Sequence, residues 1–344
     1  MRLVTLALLF ASCSDYDLGQ TADKPGRDRD PDTAAVDTDG GTTGDTDTDT
    51  TGTIPDTDTT TDTDTPVQVP DGKIDIVLLM DIAYIYDCYH ADLPLNTNAL
   101  LDALYASGAD VAVSIATYDD YYVSTEWFTA TDGKPYILEE QLTTDKSRLV
   151  SIANRLELSW GGDGPGSGYE ALAQAADGAG YDQDCDGQLD STTDIRPFNA
   201  RSSDVFAGAV GGSADTSTPG TGTRPGVGWR EGSKRIVVMF AENANRDRDE
   251  GHEFSFAGCS ATKTRGAAAD KLATVQAHFL GVNAYEFQDE DPLLQEQLVA
   301  IASQTHSLID ADHDGAVDDD AVLSGSWDWP ATEVLVAAIW DLAR

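Results

Sequence analysis

Residues 72–344 are expected to fold as an α/β domain with a doubly wound, mostly parallel central sheet and helices on both faces. Three observations predict it. The run Ile74, Ile76, Val77, Leu78, Leu79, Met80 is apolar and of strand length, and it ends in a lone acid, Asp81. A buried parallel strand reads this way when its last side chain emerges at the carboxyl edge of a sheet. Behind it, strand-like and helix-like segments alternate to the end of the chain, the pattern of a parallel sheet whose ligands bind at the carboxyl ends of the strands. A composition break near residue 70 separates this domain from what precedes it.

The chain opens with one basic residue, Arg2, an apolar run from Leu3 to Phe10, and the small pair Ala11-Ser12 before Cys13, so residues 1–12 read as a secretory signal. Phe10-Ala11-Ser12-Cys13 resembles a bacterial lipobox, which implies acylation of Cys13 and a lipid anchor. Ser14 after the cysteine, where an acid would retain the protein at the inner membrane, implies the outer membrane or cell surface of a Gram-negative bacterium. Residues 13–71 are dominated by Asp, Thr, Gly and Pro, as in DTDTDTTGTIPDTDTTTDTDT. Such a segment has nothing to bury and repels itself, so it is expected to be a disordered stalk. As a coil of roughly 55 residues it would span about 40 Å, enough to hold a domain clear of a lipid surface.

In the domain, a helix is expected over residues 95–107, then a strand through Val111, Val113 and Ile115, and an aromatic hairpin region over 118–136. Helices follow over 146–156 and through Tyr169, Ala171, Leu172 and Ala175. Residues 178–232 are rich in Gly, Thr, Ser and Asp and are too long for an ordinary connection, so they read as an irregular insertion. The pattern resumes with a strand at 235–240, a helix at 267–279, a strand at 282–287, a helix at 292–303, a short strand near Leu308 and a last helix at 332–342.

Acids outnumber bases 61 to 21, for a formal charge of −40, and the excess is not confined to the stalk. This argues against nucleic acid and anionic membrane surfaces as partners and in favour of divalent cations.

Met80-Asp81, Tyr84 and Asp92-Leu93 resemble the first strand and metal-binding loop of a von Willebrand factor A domain, and most closely the I-like domain of integrin β subunits. Two further segments resemble that family in order: residues 160–175, with Asp163 and Pro165 in its Asp-x-Pro-Glu-Gly loop, and residues 228–251, with the Gly-Trp-Arg entry to the fourth strand and Glu242 where the family has an acid. The resemblance implies a Rossmann-like fold over nearly the whole domain, a role in binding, and a magnesium site at Asp81, Asp163 and Glu242. Yet Ala83 and Ile85 replace the two serines of that site, and Gly166 replaces its glutamate. With three of about five oxygen donors gone, magnesium is not expected to bind.

Two other acidic loops carry a more complete pattern. Asp182, Asp184, Asp186, Gly187 and Asp190 spell D-x-D-x-D-G-x-x-D, and so do Asp310, Asp312, Asp314, Gly315 and Asp318. Alternating carboxylates surround one point and the glycine permits the sharp turn, so calcium is the expected cofactor. The twelfth positions hold Thr193 and Ala321 instead of a bidentate Glu, which implies modest affinity and a likeness to thrombospondin or dockerin loops.

With Cys13 acylated, Cys88, Cys185 and Cys259 remain, and an exported chain permits a disulfide, for which Cys185 with Cys259 is the candidate pair. No G-x-S-x-G, H-E-x-x-H or Walker loop occurs, and the five histidines are scattered, with His90 and His252 beside acids. The expectation is a binding or adhesion module, not an enzyme, that recognises a protein or surface ligand through carboxyl-edge loops ordered by calcium. Metal-dependent adhesion through Asp81, Asp163 and Glu242, and a hydrolase working near His90 or His252, remain as alternatives.

Overall fold

A computed structural model describes residues 69–83, 87–121, 135–156, 165–182, 186–187, 189, 194–195, 197–198, 225–250, 255–256, 259–260, 262–284, 292–312, 314–324 and 330–344. The signal segment, Cys13 and nearly all of the stalk lie outside the described residues.

The first strand, β1 (Lys73–Asp81), is buried at every position after Lys73, including its acids Asp75 and Asp81. It is followed by α1 (Asp87–Ala106), which starts upstream of the expected helix and contains Pro94. Then come β2 (Asp110–Tyr118), β3 (Ile137–Thr143), α2 (Lys146–Ala153), α3 (Gly168–Asp177) and the one-turn α4 (Pro225–Gly228). The second half contains β4 (Lys234–Ala241), the short antiparallel pair β5 (Ser255–Phe256) and β6 (Cys259–Ser260), α5 (Arg265–Thr274), β7 (Ala277–Asn283) and α6 (Pro292–Gln304). It closes with β8 (Leu308–Ile309), β9 (Asp319–Asp320), β10 (Val322–Ser324) and α7 (Thr332–Ala343).

Six strands form one sheet in the order β10-β7-β4-β1-β2-β3, parallel throughout except for the antiparallel edge strand β3. The expected α/β sheet is therefore present. Strand order reverses at β1, which pairs with β2 on one side and β4 on the other. The helices fall into two packing groups, α1 with α2 and α7, and α5 with α3 and α6. The reversal opens the sheet at the carboxyl ends of β1 and β4, where such folds place their ligands. Among the described residues no helix is long and apolar enough to cross a membrane.

Local sequence accounts for the boundaries. Asp145 caps α2 by accepting from the Arg148 amide, and Thr264 caps α5 by accepting from the Ala267 amide at 3.2 Å. The expected helix over 267–279 is corrected: α5 stops at Thr274 and β7 begins at Ala277, because Gln276 takes a left-handed turn at φ 55° between them. The expected short strand near Leu308 is present as β8. β8 pairs with β9 in a separate hairpin, and the sixth strand of the main sheet is β10, bound to β7.

At the amino-terminal edge of the sheet one guanidinium organises the entry to β4. Arg230 Nε donates to Asp75 Oδ1 at 2.5 Å, Nη1 to Asp110 Oδ1 at 2.6 Å, and Nη2 to the Ile74 and Asp110 carbonyls. The Arg230 amide and the Ser233 hydroxyl both donate to the second oxygen of Asp75, at 2.7 Å each, so this buried acid is fully hydrogen-bonded.

Candidate functional site

Because β1, β2, β4 and β7 run parallel, the residues that follow them share one edge. β1 ends in Asp81, β2 leads into Asp119, Asp120 and Tyr121, and β4 leads into Glu242. Asp81, Asp119, Asp120 and Glu242 are all at most 1% exposed, so four carboxyl groups are withdrawn from water along this edge.

Asp81 accepts from the Ala83 amide at 3.1 Å on one oxygen and from the Glu242 amide at 3.4 Å on the other. Burial raises its pKa to about 7, against the pull of those two amides, with the nearby Asp120 charge raising it further. Asp120 is held by Arg246, whose Nε and Nη2 donate to its two oxygens at 2.8 and 2.6 Å, and by the Tyr121 amide at 2.7 Å.

The loop ahead of α3 closes over this edge. Ser167 donates its amide and its hydroxyl to the Asp119 carbonyl, at 3.0 and 2.9 Å. The Gly166 amide donates to the Ala244 carbonyl at 2.9 Å and the Arg246 amide to the Gly166 carbonyl at 2.7 Å, a parallel bridge between the two loops. Gly168 lies so close to this bridge that a Cβ there would collide with Asn245. Asn245 in turn is fixed from α6, its amide donating to Gln297 Oε1 at 2.7 Å and its carbonyl accepting from Gln297 Nε2 at 3.0 Å.

At two positions of the expected magnesium site, Ala83 and Gly166, the chain offers no side-chain oxygen. Octahedral coordination needs converging oxygens, and Ala83 supplies a methyl group and an amide already given to Asp81. Gly166 has both backbone groups committed to the neighbouring loop. Crowding does not impose the glycine, since a Cβ would rest 3.4 Å from the Asp119 carbonyl oxygen, an ordinary contact. Asp163 and Ile85 lie outside the described residues.

The two acidic loops take up a common local geometry. In the first, the Gly187 amide donates to Asp182 Oδ2 at 2.9 Å; in the second, the Gly315 amide donates to Asp310 Oδ2 at 3.2 Å. Both glycines are left-handed, with φ of 82° and 91°, which is why glycine stands at the sixth position of each. Carboxylate oxygens of Asp182, Asp186 and Asp194 lie within 4.8 Å of one another, as do those of Asp310, Asp312 and Asp314. Asp194, which the motif did not single out, is fully buried and stands one residue past the twelfth position. Asp318 is exposed and outside the second triad; its neighbour Asp319 closes that loop, accepting from the Ala311 and Asp312 amides at 3.0 and 3.3 Å. Asp184, Asp190 and Cys185 lie outside the described residues, and Cys259 falls in β6.

Between the first loop and the edge sits Glu170 of α3, buried, accepting from Gln174 Nε2 at 2.7 Å, with Lys263 Nζ at 3.6 Å. Burial raises its pKa and Lys263 opposes the rise. Of the histidines, His278 is half-buried in β7 and His306 is exposed, whereas His90 has no described side chain and His252 and His313 lie outside the described residues.

No protein-family model matches the sequence, and no curated protein does. Among solved structures the chain is similar to the conserved hypothetical protein BatB from Bacteroides thetaiotaomicron, at 11% sequence identity and a TM-score of 0.41, over 78% of this chain and 98% of that one.

Proposed function

We propose that the domain is a recognition module of the von Willebrand A-like kind, carried outside the cell on an acidic stalk and a lipid anchor at Cys13. It engages a protein or surface component through its carboxyl-edge loops, and calcium in residues 182–194 and 310–319 sets the shape of those loops. The observation that carries this reading is the shared turn of the two D-x-D-x-D-G loops, each with its first aspartate on the glycine amide and three carboxylates drawn together. Carboxylates held this close repel one another, and a hard divalent cation relieves that repulsion. Asp194 adds a buried carboxyl group to the first loop, in place of the missing glutamate at the twelfth position.

Metal-dependent adhesion through Asp81, Asp163 and Glu242 is the weaker reading, since Asp81 is buried, spent on backbone amides and shifted toward its neutral form. The test is retention of bacterial envelope fragments on beads carrying the protein, in calcium and in chelator. Retention that needs calcium and falls at least several-fold in Asp186→Ala and Asp312→Ala is expected. Retention unchanged by chelator and by both variants counts against calcium-ordered recognition.

A further inference from the structure

The carboxyl edge gathers four buried acids, and desolvated anions in a fold are stable only when hydrogen-bonded, protonated or paired with a cation. A cation is present, and it is a side chain. Arg246 sits in the loop after β4, its side chain only 11% exposed, and forks onto both oxygens of Asp120 at the end of β2. Its backbone amide is simultaneously bound to Gly166, ahead of α3. One residue therefore joins three loops that come from distant parts of the sequence, the same convergence that a bridging metal ion would produce.

We propose that the Arg246 guanidinium is the resident cation of the carboxyl edge and replaces a divalent metal there. The chemistry of the exchange is favourable. A guanidinium is charged at every physiological pH and presents a planar fork that matches one carboxylate, so it needs no set of converging oxygens. Ala83 and Gly166 thus become tolerable. A divalent ion entering beside Asp120 would meet a like charge and a carboxylate already occupied. The consequence for recognition is that this edge keeps its shape in chelator, and that a partner meets it directly and not through a bridging ion. This inference does not depend on calcium in the two acidic loops.

The experiment is thermal unfolding of metal-stripped whole protein, with and without millimolar magnesium, for the wild type, Arg246→Gln and Arg246→Lys. Arg246→Gln removes the two guanidinium bonds to buried Asp120, and its Tm is expected to fall by roughly 10 °C. Magnesium is expected to recover part of that fall, raising the Tm of Arg246→Gln by more than it raises the wild type. Arg246→Lys, which keeps the charge and loses the fork, is expected between the two, with the wild-type response to magnesium. A wild-type Tm in Arg246→Gln overturns the proposal. So does a destabilised Arg246→Gln whose magnesium response equals that of the wild type, because the arginine would then be an ordinary ion pair. If Arg246→Gln yields no folded protein, Arg246→Lys decides: a lowered Tm with unchanged magnesium response supports the proposal, and a wild-type Tm or an enlarged magnesium response overturns it.

Discussion

Arg230→Ala is expected to lower the free energy of unfolding by about 3–5 kcal/mol, the range for removing one partner of a buried ion pair. The loss comes chiefly from Asp75, which is fully buried in β1 and takes the Arg230 side chain on one oxygen and the Arg230 amide and Ser233 hydroxyl on the other. The Asp110 arm adds less, because that carboxylate is half-exposed and water screens the pair. The carbonyls of Ile74 and Asp110 lose their guanidinium donors as well. Denaturant unfolding at neutral pH measures the change. The double variant Arg230→Met with Asp75→Leu removes both charges and is expected to recover much of the loss, since the penalty lies in the stranded anion. A loss below about 1 kcal/mol in Arg230→Ala would mean that this network is not what fixes the entry to β4.

Asp81→Asn is expected to stabilise the protein above pH 7 and to leave it little changed near pH 4. The Asp81 pKa rises from 3.8 to about 7 on folding, because burial penalises the carboxylate. Between those values the folded state binds the proton more tightly than the unfolded chain, so stability falls as pH rises through the window. Above pH 7 the full cost of keeping this buried carboxylate ionised applies, on the order of a few kcal/mol. Asparagine is nearly isosteric, still offers an oxygen to the Ala83 amide, and carries no charge to desolvate. Urea unfolding of both proteins at pH 5 and pH 8 makes the comparison. A variant that is less stable than the wild type at pH 8 would show that the fold favours ionised Asp81, through its two amide donors or a cation.

The sheet was legible where burial and composition agree. The run ending at Met80, and its counterparts in β2 and β4, are apolar because helices cover both faces, and that pattern is visible in a single sequence. β3 was hidden because Glu139, Glu140 and Gln141 look like surface residues. They are buried, with Glu139 accepting from Thr117 Oγ1 at 3.1 Å and Glu140 from Arg148 Nε at 2.5 Å, partners that no local pattern announces. The end of α5 was misplaced because the residue that turns left-handed is Gln276 and not a glycine. The first aspartate and the glycine of each acidic loop are joined by a bond that spans five residues, which is why local spacing makes the motif readable. Asp194 escaped because it enters one residue past the motif, and Arg246 because its partner Asp120 is 126 residues away.

On the proposed reading, cations serve the acidic loops and not Asp81. Calorimetric titration of the metal-stripped protein with calcium and then magnesium, repeated on Asp81→Ala and Asp312→Ala, tests it most directly. Calcium is expected to bind, with Asp312→Ala weakening it about tenfold or more and Asp81→Ala leaving it in place. Magnesium binding that Asp81→Ala abolishes would contradict it and make Asp81 the metal ligand of the fold.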